Sequence, residues 1–514
     1  MARMVSCIQS SFARIALNRS QAQRYFIYAN RLFETQDKVL FDDRLRDAII
    51  PFILPSFDWQ QQIDQLNGLN CEEDGTPFSR SYYNPDKIKS ALERFDQPNH
   101  PSFRWNSNYQ RALEELKLEF SNAQLKVENF ATDQDVAKAL PKSTTHSGFL
   151  YILTGSKKKG DNLKGICSEV NQLEKTALET GNFGVPILIG HRTQGSAHDE
   201  FSGEILEIGK HKTRLVCMVD MRVIVSELKF AKPLQKYLSR FCLWYSGGKT
   251  PGEMRSAIYW NSSRYSDWTS LDYSSFDQTI SDWLIEDAFS VIRSAFMLHN
   301  DYESRLLDVI CDSFIHKEFL LPDGKVNRCD KGVPSGSMFT QIIDSIVNML
   351  MIKTYVISKH ENSSSVKSNV MGDDHLLQHN FPIDLFDLEG YLKTNFGITM
   401  NARKCVVKTD ERVYPWYLSR EFRGTGEWRH PNVLFDRMLF PERRRPYVGN
   451  PVIPEDIIYC FIQTYPLGMR ELIDVDLFLR KYDPTSRKEV LDSVDGIWLP
   501  GSYVFNRDYN LIYR

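Results

Sequence analysis

Acidic residues at three places in the chain could carry out metal-assisted chemistry. Asp272 closes the stretch SDWTSLD, Asp277 follows five residues later, and Asp373 and Asp374 stand side by side in VMGDDH. Adjacent carboxylates raise each other's pKa and are costly if kept dry. Beside a third carboxylate they make a site for a divalent cation, and hard Mg²⁺ prefers carboxylate and phosphate oxygens. Two such ions ~3.5–4 Å apart can activate a hydroxyl and stabilise a leaving pyrophosphate in an in-line displacement. His375 has no partner histidine at ligand spacing and reads as a neighbour of the acids.

The elements that must position these acids can be read around them. DWTSLD alternates polar and apolar residues, so it predicts a strand with Asp272 at its C-terminal end. A loop follows, then a helix with Thr279 or Ser281 near its start and Ile280, Trp283, Leu284, Ala288 and Val291 as its apolar residues. In KGVPSGSMFTQIIDSIVNMLMIKTYV (331–356), Pro334 and Gly336 make a loop, and Ser335 or Ser337 can cap the helix after it. Thr340, Asp344 and Asn348 recur every four residues on that helix and share one face, while Ile342, Ile343, Ile346, Val347 and Leu350 cover the others. SVKSNVMGDDHLLQH (365–379) reads as a β-hairpin turning at Gly372-Asp373. LEGYLKTNFGITMNARKCVVK (388–408) reads as a helix and then a strand.

Upstream the charge balance changes. Residues 141–260 hold 17 lysines and arginines against 11 acids, a local +6 in a chain of net −3. Such a region suits a channel that neutralises phosphates. Within GKHKTRLVCMVDMRVIVSELKF (209–230), LVCMV and RVIV read as strands joined by a short turn. SQAQRYFIYANRLFETQ (20–36) and NYQRALEELKLEFSNAQLKVENF (108–130) read as amphipathic helices. YVFNRDYNLIYR at the C-terminus is strand-like.

The whole chain bounds these readings. Its 514 residues allow three or four domains or one interlocked body. Apolar residues at 42% and charged residues at 25% exclude wholesale disorder. No run approaches ~18 apolar residues, so no membrane span is expected, and the first residues do not read as a secretory signal. Nine cysteines, spread singly with no CxxC pair, argue against a disulfide framework and a cysteine zinc site, and fit a reducing compartment. A GxxxxGK[ST] loop is absent from the sequence.

A strand-end acid, a Ser-Gly loop opening a polar-striped helix and a GDD hairpin, in that order, resemble the motif set of viral RNA-dependent RNA polymerases. DYSSFD, GVPSGSMFTQIIDSIVN and VMGDD look most like the polymerases of double-stranded RNA viruses of the partitivirus group and its protozoan-infecting relatives, with picobirnaviruses second. The recognisable motifs cover roughly residues 140–425. The resemblance implies an α+β fold, a right hand with fingers, palm and thumb and an antiparallel palm sheet. Residues 1–140 would be an N-terminal extension bridging fingers and thumb and closing the ring. The fingers would span 141–264 with an insertion at 295–330, the palm 265–294 and 331–422, and the thumb 423–514.

The resemblance also implies roles. Two Mg²⁺ (or Mn²⁺) ions would be held by Asp272, Asp373 and Asp374, with the carbonyl of Tyr273 as a further ligand. Lys404, or alternatively Lys408, would protonate pyrophosphate. Asp277 would read the ribose 2′-hydroxyl, helped by Asp344 or Asn348, with Ser335, Gly336 and Thr340 alongside. Lys212, Arg214 and Arg222, with Lys210 a weaker candidate, would meet the triphosphate. Thr145, Ser147 and Gly148 would guide the template, and Ser419 and Arg420, in a turn where glycine is usual, would grip the priming strand. Partners would be RNA template and product, nucleoside triphosphates and viral capsid protein, with no membrane, in the virion interior and the host cytoplasm. The competing readings are a reverse transcriptase and a catalytically inactive, capsid-associated RNA-binding protein.

Overall fold

The computed structural model describes residues 41–491, apart from 72–74, 76–77, 79–83, 142–144, 155–157, 322–324, 360–364, 442–444, 446, 448–450 and 488–489. The helix expected over 20–36 and the strand expected at the C-terminus lie outside the described residues.

Two four-stranded sheets carry the elements named above. In the first, β1 (Ile187–His198) and β2 (Ile205–Met218) form a long antiparallel ribbon. β4 (Lys317–Leu320) adds parallel to β1, and β5 (Val326–Cys329) pairs with β4. The segment 295–330 thus returns to the sheet begun by residues 187–218. In the second sheet the order is β6-β7-β3-β8, antiparallel throughout. β3 is Asp267–Leu271, β6 Val366–Met371, β7 Asp374–His379 and β8 Val406–Val407. A small third sheet joins β9 (Trp416–Tyr417), β10 (Arg420–Arg423) and β11 (Gly426–Trp428).

Helices back the second sheet. The helix Asp282–Ser294 starts at Ser281, one of the two expected positions, and buries Trp283, Leu284, Ala288 and Val291. The polar-striped helix runs Thr340–Ser358, and Ile342, Ile343, Ile346, Val347 and Leu350 are buried. The helix Ser107–Ser121 packs on both through Tyr109, Leu113, Leu116 and Phe120. It ends well before residue 130, because Asn122 caps it and Leu125 then bridges to Phe296. Residues 45–78 join a second core with helices between 431 and 482, through Leu45, Ile49, Phe435, Ile458 and Phe478. The same N-terminal stretch touches β2, where the Gly209 N–H donates to the Asn70 carbonyl.

One element differs from its expected form. LVCM ends β2, but RVIV opens a helix, Met221–Phe241, rather than a second strand. Asp220 caps it by accepting from the Arg222 N–H, and Val223, Ile224 and Val225 are all buried. Tertiary burial overrides the β-branched preference here.

Candidate active site

β3 and β7 set the geometry. Leu271 pairs with His375, so Asp272 follows directly beside Asp374 at the end of the ladder. Asp373 is at the tip of the β6–β7 hairpin, where Met371 faces Asp374 across a two-residue turn. Gly372 adopts φ +66°, which favours glycine. The tip carries two acids because it is exposed on the cleft side.

The hairpin is held from behind by the polar-striped helix. The Asn348 amide donates to the carbonyls of Gly372 (3.0 Å) and Asp373 (3.3 Å). Its oxygen accepts from the Tyr273 hydroxyl at 2.9 Å and meets His375 Nδ1 at 2.9 Å. Ser345 Oγ accepts from the Gly372 N–H at 2.8 Å. Burial pushes the His375 imidazole down to about 3, so it is a neutral prop. Asn348 is fully buried and fully engaged. Its expected role at the nucleotide is therefore corrected to bracing the Asp373 turn. Ser345 went unremarked in the sequence, where a serine inside an apolar run carries no signal.

Asp344 takes the other place. Burial, then Asp277 and Asp373, hold its carboxyl well above the usual range. Its Oδ1 has no hydrogen-bond partner among the described residues. Asp277 lies in a one-turn helix, Phe276–Thr279. Burial and Asp373 push its carboxyl up to about 6, against the pull of Arg214. Of the two candidates, Asp344 is the one whose carboxyl feels the charge of Asp277. The Thr340 hydroxyl donates to the carbonyls of Pro334 (2.6 Å) and Ser337 (2.9 Å) and so ties its own loop. Ser335 Oγ accepts from the Cys217 N–H at 2.9 Å. A side chain at Gly336 would come within 1.9 Å of the Cys217 carbonyl, which is why only glycine fits there.

Charges of both signs meet in this cleft. Lys210, Lys212 and Arg214 alternate on the exposed face of β2. Burial raises the Asp272 carboxyl, Lys404 and then Lys212 draw it down, and Asp373 raises it again. The Asp374 carboxyl is pushed up by its crowded surroundings and by Asp373, and drawn down by Arg214. Lys408 is elsewhere: its Nζ donates to the Ser266 carbonyl at 2.6 Å, at the opposite end of β3 from Asp272. That leaves Lys404, exposed in the turn before β8, as the lysine beside the acids. Arg222 pairs with Asp220 at 2.8 Å and clamps the start of its helix.

Around Tyr273 the Asn401 N–H donates to the Asp272 carbonyl and the Ser274 N–H to the Thr399 carbonyl. The Tyr273 carbonyl takes no part in that pairing. Among the described residues, no three His, Cys, Asp or Glu side chains are gathered tightly enough to hold a cation. The chemistry of the expected donors nevertheless suits one, since Asp272, Asp373, Asp374 and the Tyr273 carbonyl offer only hard oxygen atoms.

The expected template and primer contacts divide. Thr145 is exposed. Ser147 is buried, its carbonyl accepting from the Met221 N–H and its Oγ from Asn162. Gly148, at φ +101°, packs directly on Asp220. Leu418 and Ser419 form the β9–β10 turn with φ +52° and +58°, a strained geometry costing roughly 1 kcal/mol per residue. Arg420 is fully buried over the Tyr465 ring at 5.0 Å, so its expected grip on the primer is corrected to packing against the C-terminal helices.

With that geometry in view, the comparisons decide the family. The model of the viral RNA-dependent RNA polymerases matches residues 75–433. The chain belongs to this family. It is similar to the RNA-directed RNA polymerase of Cryptosporidium parvum virus 1, 26% identical over 305 residues, which are 58% of this chain and 50% of that one. It also resembles the genome polyprotein of human rhinovirus A serotype 89, 29% identical over 161 residues, 30% of this chain and 7% of that one. This chain therefore spans half or less of these relatives' lengths. Among solved structures, the polymerase of a human picobirnavirus superposes with a TM-score of 0.64 at 15% identity, covering 99% of this chain and 95% of that one. Its insertion-loop deletion mutant gives 0.61 at 15%, covering 96% and 94%. The shared fold is the α+β right hand. Both of these structures come from a picobirnavirus, the second of the two virus groups that the motifs resemble.

Proposed function

We propose that this chain copies an RNA template from ribonucleoside triphosphates to replicate and transcribe a double-stranded RNA genome. The observation that carries this is the ladder between β3 and β7, which brings Asp272 beside Asp374 and the Asp373 turn. Asp272, Asp373 and Asp374, with the Tyr273 carbonyl, would hold two Mg²⁺ or Mn²⁺ ions. When bound, the ions supply charge neutralisation at the transferring phosphorus and lower the pKa of the attacking hydroxyl. Arg214 and Lys212 orient the triphosphate from the β2 face. Lys404 holds a proton beside Asp272, where it can pass to the departing pyrophosphate. Asp277, backed by Asp344, accepts from the ribose 2′-hydroxyl.

Residues 141–264 and 295–330 then serve as fingers, 265–294 and 331–422 as palm, and 423–514 as thumb. The N-terminal 140 residues bridge fingers and thumb and close the ring; the contacts of residues 45–78 with both β2 and the C-terminal helices support this. Among the described residues no helix is long and apolar enough to cross a membrane. A virion interior, a capsid protein partner and the host cytoplasm follow from the same reading.

Extension of a primed homopolymer RNA with Mg²⁺ or Mn²⁺ tests it. Ribonucleotide incorporation is expected. Preferential use of deoxyribonucleotides would favour a reverse transcriptase, and no extension an inactive RNA-binding protein. Two variants test the assigned roles. Arg214→Ala is expected to raise the nucleotide KM about tenfold or more, since it removes a charge-assisted contact; an unchanged KM would remove Arg214 from the triphosphate. In Asp277→Ala the ratio of ribo- to deoxyribonucleotide incorporation is expected to fall about tenfold or more. A constant ratio would show that another group reads the ribose.

A further inference from the structure

The Ser335–Gly336 loop leads into the helix Thr340–Ser358, which has no side-chain cap at its N-cap residue Phe339. The first N–H groups of a helix need acceptors and carry partial positive charge. The Phe339 N–H finds Ser337 Oγ at 3.0 Å. The Met338 N–H instead donates to Glu227 at 2.7 Å, and the Ser337 hydroxyl donates to the second oxygen of that carboxylate at 2.8 Å. Glu227 belongs to the helix Met221–Phe241, which starts where β2 ends. It is 3% exposed, and the buried Lys159 is the cation whose charge acts on it. Burying a carboxyl is unfavourable unless its bonds are made, and both of these bonds go to the loop.

The loop is clamped from two sides. Ser335 and Gly336 press on Cys217 of β2, while Ser337 and Met338 hang on Glu227. Its root is tied to the nucleotide side of the cleft, since the Val333 N–H donates to the Asp277 carbonyl at 2.6 Å and the Gly332 N–H to that of Ile280. Next to the Glu227 contact is a cavity of about 370 Å³, lined by Val223, Glu227, Pro334 and Ser337 among others. The latch therefore borders open space.

We propose that Glu227 is a positioning residue that latches the Ser335–Gly336 loop against the fingers and so sets how strictly the site reads the ribose. This rests on the polymerase reading. The side-chain bonds of Glu227 go to Ser337 and Met338, so it acts through the loop root on Asp277. Glutamine can replace it, because its oxygen still accepts from Met338 and its amide still faces Ser337 Oγ. Burial pushes the Glu227 carboxyl up to about 7, against the pull of the Met338 and Ser337 bonds and of Lys159.

The test measures kcat and KM for ribo- and deoxyribonucleotides on a primed RNA template, with melting temperatures, for wild type, Glu227→Gln, Glu227→Asp and Glu227→Ala. Glu227→Gln is expected within about twofold of wild type. Glu227→Ala is expected to raise the ribonucleotide KM and lower the ribo-to-deoxy ratio by about tenfold, with kcat changed less than about threefold. Glu227→Asp, whose shorter reach keeps one bond, is expected in between and serves if the alanine variant does not fold. A lowered melting temperature with an unchanged ratio would mark a merely structural cap and overturn the proposal. So would Glu227→Gln as impaired as Glu227→Ala. An inactive wild type would instead sink the polymerase reading itself.

Discussion

Asp272→Asn and Asp373→Asn are each expected to reduce nucleotide incorporation by on the order of 1,000-fold or more while leaving the fold intact. The two halves of this expectation have separate causes. Asp373 is exposed at a turn whose shape is fixed by Gly372 and by the Asn348 amide on the backbone carbonyls. Neither hold uses the Asp373 side chain. Asp272 is fixed through its carbonyl, which accepts from the Asn401 N–H. Asparagine keeps the size of both groups and removes one negative charge. The charge of Asp373 bears on Asp272, Asp277, Asp344 and Asp374, so removing it relieves repulsion and the melting temperature is expected to hold or rise. The lost carboxylate oxygen is the one that would hold a cation, and the amide is a poor replacement. Single-nucleotide extension on a primed template, with a thermal melt on the same preparation, checks both halves. Wild-type turnover in either variant would remove that residue from the site.

The parts of this site that were legible in the sequence are those whose local pattern states its own geometry. Alternation in DWTSLD gives the strand and the position of Asp272, and Gly372-Asp373 between apolar runs gives the turn. The i, i+4, i+8 spacing of Thr340, Asp344 and Asn348 gives a polar face with something polar opposite it. What that face meets is a tertiary fact. Asn348 turns out to brace a hairpin 24 residues downstream and Thr340 to tie its own loop, while Asp344 alone is left beside Asp277.

Residue type also cannot report which partner a side chain takes. Arg222 and Arg420 have the residue type that phosphate binding needs. Arg222 is held by Asp220, two residues away, and Arg420 lies buried over Tyr465. The same blindness hides Glu227, whose partners are more than a hundred residues downstream. RVIV differs for another reason: a β-branched run fits a strand or a buried helix face, and here burial of Val223, Ile224 and Val225 favours the helix that Asp220 caps.

Glu200→Ala is expected to destabilise the protein by about 3–5 kcal/mol at neutral pH. Glu200 sits in the loop between β1 and β2 and joins two arginines from the C-terminal part. Arg429 Nη2 approaches it at 2.5 Å and Arg437 Nη2 at 3.1 Å. The Arg429 side chain is 0% exposed, so losing its partner leaves a buried charge facing Tyr465. A double variant with Arg429→Met removes that charge as well and is expected to recover part of the loss. The pH dependence gives a second reading. Burial alone would raise the Glu200 carboxyl, but Arg429 and Arg437 overcome it and hold the group at about 2 against an ordinary 4.5. A depressed carboxyl adds stability above its unfolded pKa and loses it as pH falls through the folded one. The contribution is therefore whole above about 4.5, declines between there and about 2, and amounts to on the order of 3 kcal/mol. Wild type and Glu200→Gln should thus differ in denaturant stability at pH 7 and converge towards pH 2. Parallel curves, or equal stability at pH 7, would show that the clasp between the β1–β2 loop and the C-terminal helices rests on packing rather than on charge.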